Sequence, residues 1–159
     1  MKRTSEIKVQ EIKKAVREFR SNRSKELDAF IDKNVFWIIA FCDREWNKKF
    51  YEKAGADANI DDYQAFDSMG GVIRIDKVDE YNAIADKYKN ANRMFMKDKD
   101  NAFKMFFYEM NNHEYIYDAD DETVLHACGI DEQFIKDNDL QETYNKARRY
   151  YWNLARQYA

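Results

Sequence analysis

A histidine with three nearby carboxylates forms the densest group of reactive side chains in this sequence of 159 residues. Glu109, His113 and Glu114 lie close together in the chain, and Asp118 follows. A neutral imidazole held by a carboxylate can act as a general base or bind a metal, because the carboxylate fixes which ring nitrogen carries the proton. His113, Glu114 and Glu109 are therefore candidate catalytic residues of a metal-dependent or general acid/base enzyme.

The same residues also fit the end of a helix. A histidine near a helix C-terminus is stabilised by the helix dipole and can bind the last carbonyl groups. The spacing of a zinc site is absent from the sequence, and His126 is the only other histidine. The sequence favours this structural role for His113 over catalysis, and it predicts neither a metal nor another cofactor.

The last predicted helix combines arginines with aromatic residues. Arg148, Arg149 and Trp152 could neutralise phosphates and stack on bases. Tyr150 and Trp152 fall outside the apolar stripe of this helix, which makes them candidate surface anchors for a partner. An isoelectric point near 5.5 is unusual for a dedicated nucleic-acid binder. Nucleic-acid binding through basic N- and C-terminal helices therefore stands as an alternative to a protein partner.

The elements that must position these side chains are predicted to be mostly helices. The sequence has no proline and only four glycines, so it has few of the residues that interrupt helices. The continuous apolar run from Val35 to Phe41 predicts a buried strand, and residues 72–75 predict a second, short strand after the double glycine Gly70-Gly71. Residues 55–67 are polar and predicted to be irregular. The expected fold is α+β, a predominantly helical single domain over residues 1–159 with a small two- or three-stranded sheet.

Apolar residues at helical spacing predict the helices. The first helix is expected to begin after Thr4 or Ser5, and residues 21–24 predict a bend or a break within it. Aspartates that can cap helices mark several other starts. The later helices are predicted to begin near Asp43, Asp76, Ala102, Glu122, Asp131 and either Asn138 or Asp139.

Neither a signal peptide nor an apolar run of about 20 residues is evident, so the sequence predicts a soluble cytoplasmic protein without a membrane partner. Cys42 and Cys128 are expected to be reduced thiols in that compartment. The oligomeric state stays open.

One stretch of the sequence, from Phe107 to Gly129, has a recognisable pattern of residues. Residues 107–110 read Phe-Tyr-Glu-Met, residues 112–115 read Asn-His-Glu-Tyr, and an acidic turn then leads to Val124-Leu125 and Gly129. This pattern resembles a signature of small uncharacterised proteins of phages and mobile elements, and the likeness extends over most of residues 35–135. The resemblance implies that context and brings no activity with it.

These observations together favour a non-enzymatic accessory protein of phage or mobile-element type that binds a protein partner. Inhibition of a host defence system is one form that this role could take. The candidate binding residues come from the signature segment and from the last helix. They are Asn112, His113, Glu114, Tyr115, Asp118, Arg148, Arg149 and Trp152.

Overall fold

Helices make up most of the computed structural model, which describes residues 4–115 and 120–157, with side chains from Lys8 onward. The described elements are α1 (Thr4–Asn34), β1 (Val35–Trp37), α2 (Asp43–Ala54), β2 (Tyr63–Ala65), β3 (Gly71–Arg74), α3 (Val78–Lys97), α4 (Lys99–Asn112), α5 (Asp121–Ala127), α6 (Glu132–Asp137) and α7 (Gln141–Gln157). Short 3-10 turns, Ile60–Asp62 and Ile75–Lys77, precede β2 and α3. The predicted α+β fold with a small sheet is confirmed.

The chain divides into two compact units. One, which we call the helical unit, combines the chain up to Arg23 with the chain from Lys89 onward. The other, which we call the sheet unit, spans Ser24–Tyr88. Each unit has hydrophobic clusters of its own.

The sheet unit is built on a three-stranded antiparallel sheet in the order β1-β3-β2. Val35 pairs with Ile73, and Phe36 pairs with Val72. Successive side chains on a strand point to opposite faces, so these two pairs contribute to different hydrophobic clusters. One cluster contains Phe30, Val35, Ile73 and Ile84, and the other contains Ile38, Phe50 and Val72. Both faces of the sheet are therefore covered by apolar side chains.

The apolar run from Val35 to Phe41 differs from the prediction of a buried strand. Pairing as β1 ends at Trp37, and the exposed fraction reaches 74% at Ile39 and 95% at Phe41. The cause lies in the partner strand, which begins only at Gly71 and leaves the end of the run without residues to pair with. The prediction for residues 55–67 is also wrong in part, because they include β2.

The helical unit has α4 at the centre of its core. Met105, Phe106 and Phe107 of this helix are buried, and α7 packs along them. The ring of Phe106 meets Tyr144 edge-on at a centroid distance of 5.0 Å, and Phe107 meets Tyr150 at 4.9 Å. The prediction of Tyr150 as a surface anchor is therefore wrong, because its ring is half-buried against α4.

The later helices begin within three residues of their predicted starts, but the predicted caps Asp43 and Asp76 do not cap α2 and α3. Asp131 caps α6 by accepting a hydrogen bond from the backbone N–H of Phe134 at 2.9 Å, as predicted. Cys42 takes the N-cap position of α2, which makes Asp43 the first helical residue. α1 continues without a break through residues 21–24, where a bend or break was predicted. Among the described residues, no helix has both the length and the apolar character needed to cross a bilayer.

Candidate functional site

The predicted pair of His113 and Glu109 exists at the end of α4. The two residues lie one helical turn apart, and Nε2 of His113 is 3.0 Å from Oε2 of Glu109. The other carboxylate oxygen of Glu109 contacts the guanidinium group of Arg20 in α1. Only 4% of the Glu109 side chain is exposed, so removing this carboxylate from water requires charged or hydrogen-bonding partners. Arg20 and His113 supply them.

Arg20 is the residue that sequence reasoning missed in this cluster. Its Nη2 lies 3.2 Å from the carbonyl oxygen of Ala127 and 3.3 Å from the sulfur of Met105. Its guanidinium group also lies 5.2 Å from the ring centre of Tyr108. These contacts hold α1, α4 and the end of α5 together. Glu109 therefore acts as the internal counter-ion of a structural arginine, and both of its oxygens are engaged.

The other candidate site residues in this region do not come together around one site. Asn112 is the last residue of α4 and is exposed, and Glu114 is exposed in the following turn with a φ of 49°. Asp118 lies outside the described residues. Within residues 4–115 and 120–157, no three His, Cys, Asp or Glu side chains are grouped in a way that could hold a metal ion.

The buried Cys128 thiol is held in its protonated form. Burial raises the pKa of this thiol well above its ordinary value, and the nearby carboxylate of Glu109 raises it further. A thiol must ionise to act as a nucleophile. Cys128 is therefore a core residue of the helical unit. Cys42 is exposed and is also a free thiol.

Two of the predicted binding residues, Tyr115 and Arg148, are brought together by Asp121. The hydroxyl groups of Tyr115 and Tyr144 both donate to one carboxylate oxygen of Asp121, at 2.5 Å in the case of Tyr144. Arg148 lies 3.9 Å from the other oxygen. Burial, followed by the hydrogen bond to Asp121, raises the pKa of both tyrosines. This cluster fastens α5 and the turn after α4 to α7.

Arg148 also lines a shallow groove on the surface of α7, together with two more of the predicted binding residues, Arg149 and Trp152. The groove has a volume of about 390 Å³ and is completed by Asn153 and Arg156. Arg149 donates to Glu142 at 2.8 Å, and this bond lowers the pKa of the Glu142 carboxyl group. Acidic partners thus offset part of the positive charge that a phosphate would need.

Among the described residues, the three most exposed large apolar side chains, Phe41, Met69 and Ile39, lie in the sheet unit, where no site was predicted. Trp37, Ile39 and Phe41 occupy alternate positions at and beyond the end of β1, and they are 38%, 74% and 95% exposed. Met69, which is 76% exposed, precedes Gly70, and the Gly70 carbonyl oxygen accepts the N–H of Ile38 at 2.9 Å. We call Trp37, Ile39, Phe41 and Met69 the apolar ridge.

The backbone of the apolar ridge is fixed by α2. The N–H of Phe41 donates to Glu45 at 3.1 Å, and the ammonium group of Lys49 donates to the carbonyl oxygen of Ile39 at 2.5 Å. Lys49 and Glu45 also pair with each other at 3.0 Å. The bond from Lys49, followed by the bond from Phe41, lowers the pKa of Glu45, which favours the charged carboxylate.

Asp67 fixes the other end of the ridge. Its carboxylate accepts hydrogen bonds from the indole N–H of Trp37 at 3.3 Å and from the backbone N–H groups of Met69 and Gly71 at 3.0 and 2.8 Å. The bond from Gly71 is the main reason that the pKa of Asp67 is lowered. Hydrogen bonds at both ends thus hold the apolar side chains outward.

Comparison with known proteins relates the chain to one family. The sequence model of a family of unknown function, DUF7659, matches residues 10–150. No curated protein and no solved structure matches.

Proposed function

Because the chain belongs to DUF7659, a family of unknown function, we propose its function from its surface: the protein acts by binding a protein partner through the apolar ridge. It works by occupying that partner and does not carry out catalysis. The observation that carries the proposal is the exposure of Ile39, Phe41 and Met69 on a backbone that hydrogen bonds hold in place.

Burial of exposed apolar surface supplies the binding energy at the ridge. Each square ångström of apolar surface left in water costs about 25 cal/mol relative to burial. A phenylalanine that is 95% exposed keeps nearly all of this cost in the free protein. A partner that covers the ridge recovers it, and the fixed backbone reduces the entropy lost on binding.

The ion pairs around Glu109 and along α7 also support a protein partner. Glu109 is the carboxylate best placed to assist His113, and its oxygens are engaged by Arg20 and His113 itself. On α7, Arg149 is paired with Glu142, and Arg148 lies near Asp121. These pairings favour a protein partner over an enzymatic role or a nucleic-acid role.

The biological context is part of the proposal. The resemblance of residues 103–129 to proteins of phages and mobile elements supports an accessory role in such an element. A host protein is then the partner, and inhibition of a host defence component is the form that best suits a small protein acting by occupancy.

Affinity capture from extracts of a candidate host tests the proposal. The wild-type chain is compared with the double variant Ile39→Ser/Phe41→Ser. The matched control is Ile75→Ser/Met94→Ser, which removes two apolar side chains that are 48% and 66% exposed and lie outside the ridge.

The wild type and the control should capture the same protein. The affinity of the purified captured protein for the ridge variant should fall by at least about tenfold, as expected for hot-spot residues. Capture of nothing above background, or equal affinity for all three chains, contradicts the proposal.

A further inference from the structure

We infer that the apolar ridge receives an extended segment of the partner as an added β-strand on the open edge of β1, and that this segment carries basic residues at its ends. The inference rests on the proposed function and names the chemistry of the partner. It follows from the backbone of β1, the alternation of its side chains, and the charges around it.

The backbone of β1 provides an open edge. In the described chain β1 pairs with β3 alone, so its other side has no strand beside it. Ile38 directs its N–H to Gly70, and the backbone groups of successive residues in an antiparallel ladder point in opposite directions. The backbone groups of Trp37 and Ile39 therefore point away from β3.

One of these outward groups is already engaged. Lys49 donates to the carbonyl oxygen of Ile39, which leaves both backbone groups of Trp37 and the N–H of Ile39 for an incoming strand. Strand addition of this kind gives affinity through the main chain and specificity through alternate side chains.

The side chains have the spacing that such a strand requires. Trp37, Ile39 and Phe41 stand at every second position, as do residues on one face of a strand. Side chains of an added strand on that face would lie beside them at cross-strand distance. Met69, two residues before the start of β3, adds a fourth exposed apolar side chain. The incoming segment is therefore apolar on this face.

The charges of the sheet unit favour a partner segment that carries basic residues. The sheet unit, residues 24–88, holds nine Lys or Arg and fourteen Asp or Glu residues, a net charge of −5. At the two ends of the ridge lie Asp67, which binds Trp37, and Asp43, which follows Phe41 closely in the chain. Arg44 offsets part of this charge, and Lys49 is paired with Glu45. A segment with lysine or arginine at each end complements this surface.

The same charges disfavour two other occupants. A second copy of the chain would bring the acidic residues of one ridge towards those of the other. An anionic membrane would be repelled by a unit of net charge −5. A membrane would also leave the outward backbone groups of Trp37 and Ile39 unused, whereas an added strand uses them.

A synthetic peptide tests the inference on the full chain. The probe is an acetylated and amidated peptide of alternating valine and threonine with two lysines at each end. One matched peptide carries glutamates in place of the lysines, and another has N-methylated valines that cannot donate backbone hydrogen bonds. Binding is followed by the backbone amide resonances of the isotopically labelled protein.

The lysine peptide should shift the amide resonances of residues 35–41 and slow the hydrogen exchange of Trp37 and Ile39. Each matched peptide should bind at least about tenfold more weakly, which corresponds to about 1.4 kcal/mol. Equal binding of the N-methylated peptide, or no shift in residues 35–41, overturns the inference. So does dimerisation of the chain through Phe41, or binding of phosphatidylglycerol vesicles that Phe41→Ser abolishes.

These results separate the inference from the proposed function. If the peptides fail while the captured partner still requires Ile39 and Phe41, strand addition is wrong and partner binding through the ridge stands. If the lysine peptide binds as expected while capture is the same for all variants, the edge accepts a strand but is not the surface that holds the partner.

Discussion

Gly70 lies so close to Ile38 that the turn before β3 has no room for a side chain. Gly70 has a φ of 93°, and a β-carbon there would lie less than 3.0 Å from the carbonyl oxygen of Ile38. This close approach lets the Gly70 carbonyl accept the N–H of Ile38, and Met69 of the apolar ridge directly precedes this glycine. The geometry of the ridge thus depends on a glycine outside it.

Gly70→Ala should destabilise the protein more than Gly55→Ala. Both glycines have a positive φ, but a β-carbon at Gly55 would meet nothing within 4 Å. Both variants share the strain of the left-handed region, of about 1–2 kcal/mol. Gly70→Ala should cost about 1–3 kcal/mol more, because it crowds a packed site. Urea unfolding measures the difference, and equal losses would show that the contact with Ile38 is unimportant.

Removing the Glu109 carboxylate should destabilise the helical unit. Glu109→Ala leaves Arg20 without its counter-ion in a site where 29% of the Arg20 side chain is exposed. Breaking a buried pair costs about 3–5 kcal/mol, and the partial exposure of Arg20 places the expected loss near 3 kcal/mol.

The matched control for Glu109 is Glu18→Ala, which breaks the exposed pair of Glu18 with Lys14. Solvent screens this pair, so we expect no measurable change in the free energy of unfolding. A loss in Glu109→Ala as small as that in the control would contradict the structural role assigned to Glu109.

The tyrosines bound to Asp121 should make the free energy of unfolding fall at alkaline pH. Burial and Asp121 raise the pKa of Tyr144 and Tyr115 in the folded protein above the unfolded value of about 10. The folded state then holds these protons more tightly than the unfolded state. The stabilisation is complete below about pH 10 and is lost as the pH rises further.

Tyr144→Phe keeps the ring against Phe106 and removes the titrating hydroxyl group. We therefore expect its free energy of unfolding to fall less steeply between about pH 9.5 and 11 than that of the wild type. Urea unfolding at several pH values measures both slopes. Parallel slopes would mean that Tyr144 contributes nothing to the alkaline loss.

The apolar ridge should be dispensable for folding. Ile39 and Phe41 are 74% and 95% exposed, so Ile39→Ser/Phe41→Ser removes little buried surface. The free energy of unfolding should change by no more than about 0.5 kcal/mol for each position. Val72→Ala is the contrasting variant. Val72 is buried in the sheet, so its truncation should lower the free energy of unfolding by more than the ridge substitutions do. A large loss in the ridge variant would mark these residues as structural.

The fold could be predicted to the extent that it follows from local pattern. The apolar stripe of α7 and the cap at Asp131 both depend on residues within a few positions of each other. The end of β1 depends instead on β3, which starts at Gly71. An apolar run of seven residues cannot pair along its whole length with a strand of four residues. This difference in length is the sequence feature that could have predicted the exposure of Ile39 and Phe41.

The candidate site was harder to predict because its decisive contacts are distant in sequence. His113 and Glu109 are one turn apart, and their pairing could be foreseen. Arg20 reaches Glu109 from α1, and no spacing rule links residues that far apart. The meeting of Tyr115, Tyr144 and Asp121 likewise depends on how α5 packs against α7.

Photo-cross-linking from the ridge tests the central claim most directly. Phe41 is replaced by benzoylphenylalanine, which keeps an aromatic ring, and the same residue is placed at Met94 as an exposed control outside the ridge. On irradiation in host extract, the chain labelled at position 41 should form one discrete adduct with another protein, and the chain labelled at position 94 should not. Absence of an adduct at position 41, or the same adducts from both positions, would contradict partner binding through the apolar ridge.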